Sequence, residues 1–434
     1  MTAPPDDEPP RAVIEAPLPH RLRATTFADD DRAAIRFILR LARALHRYGT
    51  PSHRLEDALA VVARQLGVTA EVFTTPTTLI LSFGEPAALR TRMLRVEGAG
   101  LDVGRLAAVD ALASDVIARR ISPDEGLARI DAIEAAPAIY GRITTIAANV
   151  VSAGAFAVFF GGALADVIAA AVIGLVVGLL GLVMQRSSNQ ARVYEVSAAG
   201  LAAFAAVALA ARWPVNPSLV TVAALLVLLP GMTLTTAMTE LATRNLIAGT
   251  ARMMSAVIVL LQLVVGVALG QRLAQAVFVV HATVPAPLPA WAPWVALAAS
   301  AVAMTVVVQA QPRALGWIVA ACALGYVGTH AGTEWLGGTG DPLGDQLGVA
   351  VGAFALGVLA NAYARWLDRP AQVVLVPATI LLVPGSMGLR GMTSLLDRHT
   401  LTGVDTMFAM FVTAMAIVGG LLLANATVSP RRVL

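Results

Sequence analysis

Lysine is absent from this 434-residue sequence, cysteine occurs once and charge is scarce; each shortage excludes a class of protein. With Cys322 alone, no disulfide and no cysteine-based metal site can form within one chain. Only 14% of residues are charged and 57% are hydrophobic, with a mean hydropathy of +0.73, whereas soluble domains carry about 25% charge. All 31 basic residues are arginine, a compositional bias that says little about function. The net charge of +3 is scattered, and no basic block is interleaved with aromatics, so nucleic acid is not an expected partner. The opening segment is rich in Pro, Asp and Arg and lacks the roughly 7–15-residue apolar core of a secretory signal. Residues 1–28 therefore read as a disordered tail on the side where the chain is made.

What is present divides in two, and 18 of the 31 basic residues precede residue 143. Residues 29–140 have the pattern of a small cytoplasmic α/β domain. Ala33–His46 has helical periodicity, Gly49-Thr50-Pro51 breaks it, and Ser52 is placed to cap a second helix that stops at Gly67. Val68–Thr75, Thr78–Phe83 and Met93–Val96 are short and β-prone. Asp102–Arg120 reads as a helix. Ser122-Pro123-Asp124-Glu125 opens another, with a cap, a first-turn proline and acids at the positive end of the dipole.

From Ile143 onward the sequence is built of apolar runs near the ~20 residues that a spanning helix needs. Ten are placed, at about 143–162, 165–184, 195–211, 218–238, 253–271, 291–309, 314–330, 346–364, 372–389 and 404–425. With the N-terminal domain cytoplasmic, nine arginines fall in cytoplasmic loops or tail and four (Arg212, Arg272, Arg390, Arg398) opposite, which follows the positive-inside rule and puts both termini inside.

The apolar part repeats itself. Ala211-Arg212-Trp213 recurs as Ala364-Arg365-Trp366 after 153 residues. Pro230-Gly231, Gly249, Met253 and Gly266 recur as Pro384-Gly385, Gly403, Met407 and Gly420 after 154. Five spans per half is an odd number, so the expected plan is two inverted five-helix repeats, 141–272 and 273–434, as in many secondary transporters.

Pro-Gly inside a span removes a backbone donor and loosens the helix, and the freed groups must find partners or line a wet cavity. Matched breaks therefore point to a substrate site around Pro230, Gly231, Thr233, Thr235 and Thr236 in one half and Pro384, Gly385 and Ser386 in the other. Half-helix N-termini suit a carboxylate and unwound carbonyls suit an ammonium, a combination that fits a free amino acid. The alternative is a packed kink. Asn149, Gln262 and Asn361 are the main intramembrane amides, Asn149 and Asn361 being added to the candidate site, although such amides usually join helices. Asp166, at the outer end of the second span, and Glu240, at the inner end of the fourth with Arg244 as its expected partner, are proton-coupling candidates. Gly174/Gly178 and Gly348/Gly352 read as packing stripes. His330 and Glu334 lack a third ligand, and no metal or other cofactor is expected. In the N-terminal domain Ser52, His53 and Glu56 form a motif that invites a hydrolase reading, but no Gly-x-Ser-x-Gly turn accompanies it.

From about Asp29 to Val428 the sequence resembles the bacterial threonine/serine exporter family. The resemblance is carried by GTPSHRLEDALAVVARQLGV (49–68), FTTPTTLILSF (73–83), RVEGAGLDVGRLAAVDALASDVIARRIS (95–122), FAVFFGG before Asp166, and the LLPG and LLVPG spans. It is tighter in the N-terminal part than in the second apolar half. It implies a cytoplasmic domain fused to ten spans, export of L-threonine and L-serine driven by the proton-motive force, and motif positions at Glu56, Asp166, Pro230, Gly231, Pro384 and Gly385. The expectation is a proton-coupled, non-enzymatic exporter in the cell membrane, with amino acid, protons and lipid as partners and homo-oligomerisation left open. Its alternatives are export of another small solute, such as a dicarboxylate or dipeptide, and a membrane-bound hydrolase acting through the N-terminal domain.

Overall fold

A computed structural model describes residues 29–85, 89–96, 100–184, 186–279, 286–337, 342–382 and 384–429, so the tail expected at 1–28 lies outside the described residues. The N-terminal domain comprises α1 (Asp29–Arg47), α2 (Ser52–Gln65), β1 (Ala70–Thr75), β2 (Thr78–Phe83), β3 (Arg90–Arg95), α3 (Val103–Ile117) and α4 (Pro123–Ala135). On α1, Phe37, Ile38, Leu41 and Leu45 share the buried face that the helical period sets. They meet Leu55, Leu59 and Val62 of α2, the alternating Leu79, Leu81 and Phe83 of β2, and Val109, Val116 and Ile130. The strands form an antiparallel meander in the order β1-β2-β3, with Thr75 opposite Thr78 across a two-residue turn. The third strand begins at Arg90, earlier than its sequence pattern suggests. It is an exposed edge carrying Arg90, Arg92 and Arg95, where charge replaces the alternation that marks a half-buried strand. Ser122 caps α4 as expected, accepting from Glu125 N at 3.2 Å. Ser52 does not cap α2: Pro51 holds that position without a side-chain bond, and Ser52 is the first helical residue.

The apolar part is helical throughout: α5 (Arg142–Phe159), α6 (Leu164–Met184), a single turn α7 (Ser188–Ala191), α8 (Tyr194–Ala210), α9 (Pro217–Ala224), α10 (Gly231–Ala242), α11 (Leu246–Gln275), α12 (Ala292–Val307), α13 (Leu315–Leu336), α14 (Pro342–Leu367), α15 (Gln372–Leu382), α16 (Gly385–Leu396) and α17 (Thr400–Thr427). Each of the ten expected spans overlaps one or two of these helices. Length and composition support seven spans, or eight when Pro217–Ala224 and Leu226–Ala242, bent by 54° across Leu225, count as one. The remaining two segments, α8 and α12, are apolar but shorter, at 17 and 16 residues. The chain is a polytopic helical membrane protein. On α6, Ile168, Val172, Leu175, Leu179 and Val183 are exposed at helical spacing while Ala170, Ile173 and Val177 are buried, which gives one face to lipid and one to the bundle.

Several helix contacts recur at positions displaced by 154 residues. Helices α8 and α11 pack as α14 and α17 do, and α10 packs on α11 as α16 packs on α17. A Cβ on Gly249 would lie 3.0 Å from the Ala237 carbonyl, and one on Gly403 would lie 3.0 Å from the Gly391 carbonyl. Arg244 and Arg398, equivalent positions, both turn through the left-handed region at φ 65° and 63°. The helices restart at Gly231 and Gly385 with Pro230 and Pro384 at the cap position, and there the halves touch: a Cβ on Gly385 would sit 3.2 Å from Gly231 Cα.

Close backbone approach explains the paired glycines. A Cβ at Gly266 would meet the Val196 carbonyl and Ala199, and one at Gly420 would meet the Ala350 carbonyl and Ala353. Gly266→Val and Gly420→Val are each expected to destabilise by about 1–3 kcal/mol through overpacking. Gly419→Ala, where nothing lies within 4 Å, is the matched control and should be neutral. Thermal midpoints in detergent check this; equal midpoints for all three would remove the packing argument.

Candidate functional site

The N-terminal domain does not hang free; it is bonded to both halves of the membrane part. In the second half, Val103 N donates to the Val308 carbonyl at 3.0 Å and Tyr140 N to Gln309 Oε1 at 2.9 Å. In the first half the contact is Glu240, which is fully buried. Its carboxylate accepts from Arg252 Nε at 2.9 and 3.1 Å and from Ser52 N at 3.0 Å. A carboxylate 188 positions away thus caps α2 from outside, placing negative charge at the positive end of that helix. The expected Glu240–Arg244 pair is replaced by Glu240–Arg252. Helix α10 ends at Ala242, so Arg244 turns away, whereas Arg252 lies on α11, which packs along α10.

Between this domain and the bundle is a cavity of about 330 Å³, at the small end of ligand clefts, which run roughly 300–1,000 Å³. The domain supplies His46, Arg47, His53 and Arg54 to its wall; α10 supplies Met232, Thr233, Thr235, Thr236 and Thr239; Arg252, Asn361, Gln372, Thr379 and Asn425 complete the polar lining. The threonine hydroxyls of 235, 239 and 379 donate to carbonyls four residues back, at 3.2, 2.9 and 2.7 Å, and so keep lone pairs as acceptors. Asn361 donates from Nδ2 to Asn425 Oδ1 and the Val428 carbonyl, both at 2.8 Å, leaving its own carbonyl oxygen as an acceptor. The acceptors of the bundle and the guanidinium groups of Arg47, Arg54 and Arg252 together are the complement of a small zwitterion.

Polar atoms here are left over. His46 Nδ1, His53 Nδ1, Ser52 Oγ and Gln372 Oε1 are buried without a hydrogen-bond partner. His46 Nε2 lies 2.8 Å from the Thr75 carbonyl, which can only accept, so Nε2 carries the proton and Nδ1 keeps a lone pair. Burial holds both imidazoles below the usual histidine range, Arg252 and Arg54 acting in the same direction. Burial likewise lowers Arg54, against the pull of Asp110 and Asp57.

The residues singled out in the sequence are only partly brought together. Thr233, Thr235, Thr236 and Asn361 share this cavity. Pro384 and Ser386 line another, of about 750 Å³, with Asp345 and Asp405. Asn149 lines a separate void of about 30 Å³, its Oδ1 unpartnered. Asp166 is fully buried and accepts from Ala163 N at 2.9 Å and Asn216 N at 2.6 Å, which ties the start of α6 to the start of α9. Glu56 accepts from both the Thr74 amide and hydroxyl at 2.8 Å, joining α2 to β1. Ser52 Oγ has no partner, so no hydrogen bond links it to His53 in the manner of a nucleophile and its base. Among the described residues, no group of three or more His, Cys, Asp or Glu is arranged to hold a metal ion. His46, His53, Arg54 and Arg252 were not legible as cavity residues, because the cavity exists only once the domain has docked.

Comparison with known proteins agrees with this architecture. A family described as threonine/serine exporter matches residues 36–274, and a second, described as Threonine/Serine exporter, ThrE, matches residues 293–427. Similar curated proteins are named Pheromone-regulated membrane protein 10. That of Saccharomyces cerevisiae (strain YJM789) is 30% identical over 372 residues, covering 83% of this chain and 47% of the relative. That of Zygosaccharomyces rouxii is 26% identical over 389 residues, covering 86% and 39%. That of Eremothecium gossypii is 28% identical over 361 residues, covering 81% and 48%. The chain spans less than half the length of these relatives. No solved structure matches it. With one exporter family matching across the domain and the first half, and its companion across the second, the chain belongs to the threonine/serine exporter family.

Proposed function

We propose that the chain is a secondary exporter of L-threonine and L-serine, driven by the proton-motive force across the cell membrane, with the N-terminal domain and both termini in the cytoplasm. The observation that carries this reading is the cavity beneath the domain. Its size suits a small solute, its arginines a carboxylate, and its threonine and amide oxygens an ammonium and a hydroxyl. The two halves, inserted in opposite senses, would expose the site alternately by rocking about the crossing of Gly231 and Gly385. Proton coupling would run through the buried groups at the docked face, His46, His53 and the Glu240–Arg252 pair. Asp166, whose oxygens are committed to two backbone amides, is a weaker candidate.

The test is flux of labelled L-threonine in proteoliposomes with and without an imposed proton gradient. Gradient-dependent flux that unlabelled L-serine competes away is expected. A second reading, a dicarboxylate exporter, is favoured by the absence of carboxylates among the cavity's lining residues beside three arginines. Flux suppressed by a four-carbon dicarboxylate and not by serine would select it.

A further inference from the structure

A second cavity, of about 380 Å³, is built from the same positions as the first, displaced by 154 residues. Where α10 places Thr236 and Thr239, α16 places Arg390 and Thr393. Where α15 places Gln372 and Val376, α9 places Ser218 and Val222. Where α17 places Leu421 and Asn425, α11 places Val267 and Gln271. The hydroxyls match too: Thr239 donates to the Thr235 carbonyl at 2.9 Å and Thr393 to the Leu389 carbonyl at 3.0 Å.

We infer that this cavity is a second substrate station, open on the membrane face opposite the N-terminal domain, and that it takes a carboxylate-bearing small solute through Arg390. The inference rests on the transporter reading and adds a site, a face and a binding residue to it. Five helices per half place the equivalent surface of the second half on the other face of the membrane. All residues lining this second cavity belong to the helical part, consistent with a face the domain does not cover.

The asymmetry between the two cavities has a chemical reason. On the domain side the cations come from Arg47, Arg54 and Arg252, and the position equivalent to Arg390 is a threonine. Among the described residues no domain lines this cavity, and Arg390 is the cation that the bundle itself supplies to it. Its guanidinium lies 4.4 Å from the centre of the Phe160 ring, and among the described residues it makes no ion pair. Asp397 lines the same cavity two turns along α16 and offers a partner to an ammonium. Conversely, Glu240, which accepts from Ser52 N of the domain, and its partner Arg252 have Ser394 and Thr406 as their equivalents, so those positions carry no ion pair in the second half.

The single cysteine makes a direct test simple. In a Cys322→Ala background, Thr239→Cys and Thr393→Cys would be labelled with a membrane-impermeant maleimide in vesicles of known orientation. The expected result is labelling of Thr239→Cys from the domain side only and of Thr393→Cys from the opposite side only, the latter slowed several-fold by saturating L-threonine. Labelling of both from one face overturns the proposal whatever the protein transports, and correct sidedness without threonine protection overturns the substrate assignment. Arg390→Gln is expected to raise KM at least 10-fold for threonine presented from the opposite face while leaving KM from the domain face within two-fold, and Arg390→Lys should recover part of the loss. Equal KM changes at both faces would show that Arg390 serves folding alone.

Discussion

Replacing Arg252 with methionine is expected to destabilise the folded protein by about 3–5 kcal/mol, the cost of stranding a buried charge. Glu240 is fully buried, and Arg252 supplies two of its three hydrogen-bond contacts. Without Arg252 the carboxylate would keep only the Ser52 amide and the field of the α2 terminus. It would then be drawn toward water, which loosens the domain from the bundle. The double variant Glu240→Gln/Arg252→Met leaves a neutral amide and an apolar chain in the same space, so it should recover most of the loss. A surface pair is the control: Arg129 and Glu125 meet at 2.7 Å with both side chains half exposed, and Arg129→Met should cost less than about 1 kcal/mol. Thermal midpoints in detergent, with proteolysis at the Tyr48–Ser52 connection as a second readout, decide between them. If Arg252→Met melts like Arg129→Met, the pair does not hold the domain in place.

This contact also shows where the sequence stops being legible. Read locally, Glu240 and Arg244 stand four apart, the spacing at which helical ion pairs form. The structure ends the helix between them, and Arg244 enters the left-handed region, so the expected geometry never arises. The true partners, Ser52 and Arg252, come from another domain and another helix. By contrast, the broken spans at Pro230 and Pro384 were readable, because a missing backbone donor and a fixed φ act on the nearest turn whatever surrounds them. The glycines spaced 154 residues apart were readable for a related reason: at Gly249, Gly266, Gly403 and Gly420 a Cβ would meet a neighbouring backbone carbonyl. Asn149 and Asn361 were equivalent as isolated amides. Only packing separates them, one into a small void and the other into the main cavity.

The domain itself takes on a physical role in this arrangement. Its loop between α1 and α2 and the turn at Pro76 form one wall of the cavity, so His46, His53 and Arg54 line the same space as the threonines of α10. The wall is held to the first half by the Ser52 N–Glu240 hydrogen bond, and to the second by bonds to Val308 and Gln309 and by the packing of Val103 into that half's core. A sheet-and-helix domain with its own core, including Phe37, Leu59, Leu81 and Ile130, would move as a unit.

Acidification is expected to weaken this docked state, with the steepest change between about pH 7 and pH 5.5, around and below the ordinary histidine pKa of about 6.5. His46 and His53 are held neutral in the folded protein, mainly by burial, so their pKa values lie below that of the unfolded chain. The sign follows from proton counting. As pH falls through the unfolded value, the unfolded chain binds protons that the folded chain refuses, and stability falls until the folded values are reached. Each histidine contributes a slope of at most about 1.4 kcal/mol per pH unit. The charged groups acting on His46 are Arg252, which opposes protonation, and Glu240, which favours it. On His53 they are Arg54 and Arg252 against Glu240 and Asp57. A proton forced onto either ring would therefore bring positive charge beside arginines that already line the cavity. Melting curves followed by tryptophan fluorescence at closely spaced pH values should show the midpoint dropping for the wild type. The drop should be largely absent from His46→Gln/His53→Gln, whose side chains hydrogen-bond without titrating. Parallel pH curves for the two proteins would assign the sensitivity elsewhere and remove these histidines from the proton-coupling scheme.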